Sequence, residues 1–357
     1  MGNKRVVKKQ QFNINNLLFL LIIVAIFGIL YMLYEDKIDS YFVKETPKQE
    51  EIEVTVLPTK KVEEVPYDNT WYLNNASQYK KYTLTSEYVV NVSEPLTKLR
   101  VRVPIAQHQK NLQYVFNVTS IPQATSEFID DENKYFIYEI ENVQPKQYKF
   151  YVENQVALKK YDINNAKKEN LNLRPEVNLE KYLKSEENID VNSEYLNRVA
   201  NNIQGFTKEE IVKNIYNFVQ ENVEYTLNTK NVSAEEVLRN KKGFCAGFSA
   251  LMVTLCRIKN IPARIVAGNL VINGKNSKHN WVEVYYSEYG WVLYDPTFFI
   301  VDKSNRKVMQ KEKLRTPDKD YLVLGHNIIE SWGVEIESDK EIFNPISLDY
   351  NFKIMNN

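Results

Sequence analysis

Residues 243–264, GFCAGFSALMVTLCRIKNIPAR, constrain the fold more than any other stretch of the chain. Phe248, Leu251, Met252 and Leu255 fall at i, i+3, i+4 and i+7, the spacing of one buried helix stripe. Cys245 therefore stands at a helix N-terminus, where the macrodipole and unpaired backbone N–H groups favour a thiolate. Gly243 and Gly247 beside it are expected to leave room for a substrate backbone. The strand that follows the helix is expected to begin at Ile261-Pro262.

Cysteine arithmetic sharpens this reading. The chain has two cysteines, Cys245 and Cys256. On one helix they lie ~16 Å apart along the axis, well beyond the ~7 Å that a disulfide tolerates between Cα atoms. Reactivity accounts for Cys245, and packing accounts for Cys256. Two cysteines and three histidines supply no zinc cluster, and there is no H-E-x-x-H, EF-hand loop or glycine-rich phosphate loop, so no metal or cofactor is expected.

A nucleophilic thiol needs a base and a group to orient it. The stretch HNWVEVYY, then SEYG, then WVLYDP reads as a β-hairpin running from His279 to Pro296. If the hairpin folds about Ser287, His279 and Asp295 lie opposite one another on one face, with Cβ atoms ~5 Å apart. A slip of one residue in register would separate them. His326 is a rival base, but it lacks a matching aspartate on a paired strand. Cys245, His279 and Asp295 are thus the candidates for nucleophile, base and orienting carboxylate.

These motifs resemble the transglutaminase-like superfamily, whose core shares the papain-type arrangement. The resemblance covers roughly residues 207–297 and rests on GFCAGFSALMVTLCRIKNIPAR, HNWVEV, GW and DPT. It implies a catalytic Cys245, His279 and Asp295. Asn280 stands where the family more often has a small residue, and Phe244 where many bacterial members have Asp.

The rest of the 357-residue chain divides by composition. Residues 1–16 carry Lys4, Arg5, Lys8 and Lys9 without an acid, and 17–34 are uncharged and mostly apolar. As a helix the apolar run would rise ~27 Å, enough to span a bilayer core. The charge asymmetry predicts a single-pass anchor with a cytoplasmic N-terminus and the remainder extracellular. Residues 35–70, charged and punctuated by proline, are expected to form an extended stalk. Between 71 and 163 the period becomes two, as in Leu99, Val101, Val103 and Ile105, or Tyr148, Phe150 and Val152, or again Leu112, Tyr114, Phe116 and Val118. This pattern predicts a small β-sandwich, with His108 in an exposed loop. A linker at 164–191 leads into a catalytic domain at 192–340. Capping boxes at Thr207/Glu210 and Ser233/Glu236 open two of its helices, and Ile211, Ile215, Phe218 and Val219 stripe the first. A C-terminal extension, 341–357, holds a strand near 342–348.

The fold class expected is α+β: a papain/transglutaminase-like catalytic domain preceded by a small β-sandwich and an N-terminal transmembrane helix. Lys plus Arg and Asp plus Glu both number 46, and no basic stripe with interleaved aromatics is present, which argues against nucleic acid as a partner. The expected activity is acyl transfer through a thioester on amides of envelope proteins or peptides, ending in hydrolysis or cross-linking. The backbone N–H of Cys245 would be one oxyanion donor, and a second is not assigned. The alternative is a non-catalytic envelope scaffold or peptide-binding module with an idle triad.

Overall fold

The computed structural model describes residues 70–74, 76–109, 112–130, 133–159, 178–272, 275–288, 290–297, 320–327, 335–338 and 346–356. The expected anchor at 17–34, the stalk up to residue 69 and residues 160–177 of the linker region lie outside them. Among the described residues no helix is long and apolar enough to cross a membrane.

After one helical turn at Thr70–Leu73 come six strands: β1 (Tyr79–Val92), β2 (Leu96–Ile105), β3 (Gln113–Ile121), β4 (Ser126–Ile129), β5 (Lys134–Val143) and β6 (Lys146–Lys159). Alternation decides their faces. Leu84, Tyr88 and Val90 of β1, Leu99, Val101 and Val103 of β2, and Phe150 and Val152 of β6 are at most 1% exposed and share one core. Each such side chain contributes roughly 1.5–3 kcal/mol by leaving water. The β3 alternation does not give a buried face: a bulge between Val115 and Asn117 shifts its register against β6 and leaves Phe116 42% exposed. Among the described residues β3 is an edge strand with β6 as its one neighbour, and bulges at edges re-aim side chains in this way. His108 is half-buried and accepts a hydrogen bond from Val115 N.

Two strands from far along the chain complete these sheets. β13 (Glu335–Ser338) pairs with β2, and β14 (Ile346–Asn356) pairs with β1 from Val92↔Ile346 to Tyr82↔Asn356. The result is two four-stranded antiparallel sheets, ordered β14-β1-β6-β3 and β13-β2-β5-β4. The C-terminal strand thus begins and ends later than local alternation near 342–348 suggests.

Four helices follow: α1 (Glu194–Asn202), α2 (Lys208–Asn222), α3 (Ala234–Asn240) and α4 (Cys245–Ile258). The Thr207 side chain accepts from Glu210 N at 3.2 Å, while Glu210 reaches back to Phe206 N at 2.8 Å. The buried stripe of α2 is Val212, Ile215, Tyr216 and Val219, turned by about one position from the expected one. Ser233 makes no side-chain cap; Ala234 N is instead met by Asn188 O at 3.0 Å. Helix α4 is not striped but enclosed, with every residue from Cys245 to Arg257 buried, as suits a helix apolar on all sides. The buried Arg257 donates through Nε and Nη1 to Ala263 O, Lys184 O and Glu186 Oε1 at 2.6–2.9 Å.

Helix α4 packs on a third antiparallel sheet, ordered β11-β10-β9-β12 and built from β9 (Ala263–Ile272), β10 (Lys275–Tyr286), β11 (Gly290–Tyr294) and β12 (Asp320–His326). A short parallel pair, β7 (Glu224–Tyr225) and β8 (Lys242–Gly243), leads into Cys245. Successive residues of a strand face opposite ways. Ile265, Val282, Val284, Val292 and Tyr294 therefore pack with α4, whereas Val266, Leu270, Trp281, Leu293, Tyr321 and Val323 form a separate cluster. Leu322 and Leu324 of β12 join the core of the first unit. The architecture has mixed α and β content, and after β6 the order is helices first and then strands.

Candidate active site

Cys245 is the first residue of α4, preceded by Phe244 in extended conformation, a residue with no side-chain acceptor for the helix start. The neighbouring glycines serve packing rather than access. A Cβ on Gly247 would lie 2.6 Å from Val237 Cγ2 and 2.8 Å from Asn231 O, and one on Gly243 would lie 3.1 Å from Val237. That space is taken by α3 and the loop before it.

The hairpin does not fold about Ser287. Val282 faces Tyr294 and Tyr286 faces Gly290, so the centre is Glu288. Gly290 takes φ 75°, a left-handed conformation that suits glycine at the end of such a turn. His279 and Asp295 are consequently diagonal rather than opposite. They still meet, because β11 stops at Tyr294 and Asp295 leaves the ladder. His279 Nε2 lies 2.8 Å from Asp295 Oδ2, and the Cys245 thiol is close enough to the imidazole to raise its pKa. With Nε2–H given to Asp295, Nδ1 is the nitrogen left to take the thiol proton. The structure thus brings Cys245, His279 and Asp295 together, with exposures of 7%, 7% and 5%.

The Asp295 carboxylate is held from both sides. Oδ1 accepts from Thr297 N at 3.0 Å and Thr297 Oγ1 at 2.8 Å, and Oδ2 accepts from His279 and from the Tyr321 hydroxyl at 2.7 Å. Behind it, Tyr216 OH donates to Asp295 O at 3.1 Å and Gln220 donates to Pro296 O at 3.2 Å, so α2 braces the turn. Burial alone would push the His279 imidazole down, but the Asp295 carboxylate and the Cys245 thiol outweigh it and raise it to about 10. Tyr225, on β7 beside the strand leading to Cys245, is pushed up to about 12 by burial and by the nearby Cys245 and Asp295.

Tyr225, Thr297, Tyr216 and Tyr321 are the residues that sequence reasoning did not assign. Thr297 was visible in the DPT motif. Tyr321 follows Asp295 by 26 positions, and no local pattern ties the two together. His326 is not a base for Cys245: its Nε2 lies 3.6 Å from Glu283, which is paired with Arg264 at 2.8 Å. Cys256, free and fully buried on the same helix, is pushed up to about 12 by burial. Asn280 points away from His279 and donates to Val266 O at 3.3 Å. Among the described residues no cluster of His, Cys, Asp or Glu is arranged to hold a metal.

The sequence profile of the Transglutaminase-like superfamily matches residues 197–296, which hold Cys245, His279 and Asp295. This stretch is a transglutaminase-like domain. The chain is 37% identical over 100 residues to the uncharacterized protein YebA of Bacillus subtilis, covering 24% of this chain and 13% of that protein. It is 29% identical over 119 residues to a protein-glutamine gamma-glutamyltransferase of Pseudomonas aeruginosa, covering 29% of this chain and 18% of that protein. The matches therefore span less than a fifth of either relative. In fold, the chain is similar to a crystal structure from Cytophaga hutchinsonii named only as a candidate cysteine protease, with TM-score 0.56, 16% identity, 78% of this chain and 91% of that chain covered.

The raised His279 couples the domain's stability to pH. Its folded value, about 10, lies above the ordinary 6.5, so its stabilising contribution is fully present below about pH 6.5 and is lost as pH rises toward 10. Urea melts of the full-length protein from pH 6 to 10 are expected to show stability falling across that window. His279→Ala should flatten the fall, and an equal slope in both proteins would contradict the pairing.

Proposed function

We propose that this chain is a membrane-anchored thiol acyltransferase acting on carboxamides of proteins or peptides outside the cell. The observation that carries the reading is the grouping of the Cys245 thiol with His279, whose Nε2 is bonded to Asp295 at 2.8 Å. His279 Nδ1 takes the thiol proton, and the thiolate attacks the carbonyl carbon. The new oxyanion is met by Cys245 N–H. His279 then gives the proton to the departing amine as the C–N bond breaks, leaving a thioester. A primary amine closes the cycle as a cross-link, and water closes it as hydrolysis.

The name carried by the Pseudomonas relative supports a glutamine carboxamide as acyl donor. In this reading residues 17–34 anchor the chain, 35–70 form a stalk, and the eight strands of the first unit, β13 and β14 among them, are a β-sandwich beside the catalytic domain that begins at residue 192. Proteins or peptides of the envelope are then the substrate pool.

The test is to incubate the full-length protein with glutamine-bearing peptides and a fluorescent primary amine, with Cys245→Ala as control. Amine incorporation that depends on Cys245 supports transamidation. Peptide cleavage or ammonia release alone, again dependent on Cys245, assigns a hydrolase. Absence of both across a peptide library, from a protein whose Cys245 still alkylates, favours the scaffold alternative.

A further inference from the structure

Among the described residues strand β12 has a single strand neighbour, β9, so the backbone groups on its other edge need partners when buried. Side-chain amides from the first unit supply them. Gln113, 0% exposed, accepts from Val323 N at 2.8 Å and donates to Val323 O at 2.9 Å. Asn133 repeats the pattern on His326, accepting from its N at 2.7 Å and donating to its O at 3.1 Å. Each amide imitates one rung of a missing strand. At the start of β12, Asp320 accepts from the Tyr82 hydroxyl and pairs with Lys80 of β1.

Next to Asp320 stands Tyr321. Its ring packs edge-on against Trp281 with centroids 4.9 Å apart, and its hydroxyl donates to the same Asp295 oxygen that receives the His279 N–H. With two donors on each oxygen, the Asp295 carboxylate cannot turn without breaking a hydrogen bond. Hydrogen bonds to an ionised group are the strong ones. The hydroxyl also draws charge from the carboxylate, which sets how tightly the imidazole holds the proton it shares with Cys245.

We propose that Tyr321 is a positioning residue of the Cys245 centre and that the first β unit sets it in place through Gln113, Asn133 and the Asp320 contacts. The proposal rests on the thiol acyl transfer reading, and it makes the eight-stranded unit part of the machinery rather than a spacer.

The experiment follows alkylation of Cys245 by iodoacetamide against pH in the full-length protein, with the His279 imidazole titrated in parallel by NMR. Tyr321→Phe keeps the ring and removes the hydroxyl. It is expected to slow alkylation roughly tenfold because the Asp295 carboxylate, free to turn, no longer aligns the imidazole, a loss that outweighs the separate upward move of the His279 titration caused by a carboxylate short of one donor. Gln113→Met, of similar size but unable to clamp Val323, is expected to slow alkylation with Tyr321 intact. A Tyr321→Phe protein that alkylates and titrates like the parent overturns the positioning role, and a Gln113→Met protein that does so overturns the link to the β unit. Insensitivity to His279→Ala as well would instead strike at the acyl transfer reading itself.

Discussion

Replacing His279 by Ala lowers the rate at which an activated ester or amide acylates Cys245 by roughly a thousandfold, because the thiol loses the base that takes its proton. Asp295→Asn should fall in the same range despite its near-identical shape. An Asn side chain can offer Nε2 an amide donor instead of an acceptor, which favours the wrong tautomer and leaves Nδ1 carrying a hydrogen where the thiol needs a vacant lone pair. Burst kinetics with a chromogenic ester measure both. The two variants should not add, since base and orienting carboxylate act as a unit. Parental acylation rates in His279→Ala would remove the imidazole from the chemistry altogether.

The largest structural effect is expected at a position with no chemistry of its own. Gly268 of β9 faces His279 across the ladder, and a Cβ there would sit 1.9 Å from Leu322 O and 2.9 Å from the Trp281 ring. Neither neighbour is free to retreat. Leu322 is held in β12 between the Asp320 and Val323 clamps, and Trp281 is fully buried. Gly268→Ala must therefore pry β9 from β12, at a cost on the order of 3 kcal/mol or more. Denaturant melts give the number. Because the displaced strand carries Tyr321, whatever fraction stays folded should also acylate slowly, and a variant as stable and active as the parent would show that the ladder yields more easily than its geometry implies.

How much of this was legible in the sequence differs from residue to residue. Cys245 could be read because a cysteine between glycines, at the head of an apolar run, stands where a helix start favours its thiolate. His279 and Asp295 could be read because a hairpin brings its two arms together. The register could not: the choice between Ser287 and Glu288 as centre is made by Gly290 and its left-handed backbone, and parity kept the two side chains on one face only because the slip moved the partner by two positions. Helix α4 was read with one apolar stripe, yet it is enclosed on all sides, since small residues such as Ala246 and Ser249 also count as buriable once neighbours crowd in. Tyr321, Gln113 and Asn133 were invisible for a different reason. Each is an ordinary polar or aromatic residue in a strand or turn, and its meaning comes from a partner between 26 and 210 positions away.

The pairing of β1 with β14 bears on how the molecule is made. Asn91 and Asp349, neighbours in that ladder, are 258 positions apart, so a ribosome emits the first strand long before it emits the one that zips against it. At ~5–20 residues per second the wait is on the order of tens of seconds. During it, one long side of β1 lacks its native strand partner, a ready template for strangers. The sheet β14-β1-β6-β3 is thus complete only once β14 has been made. Under the positioning role proposed for Tyr321, a nascent chain keeps its Cys245 centre unsteadied until that distal strand arrives.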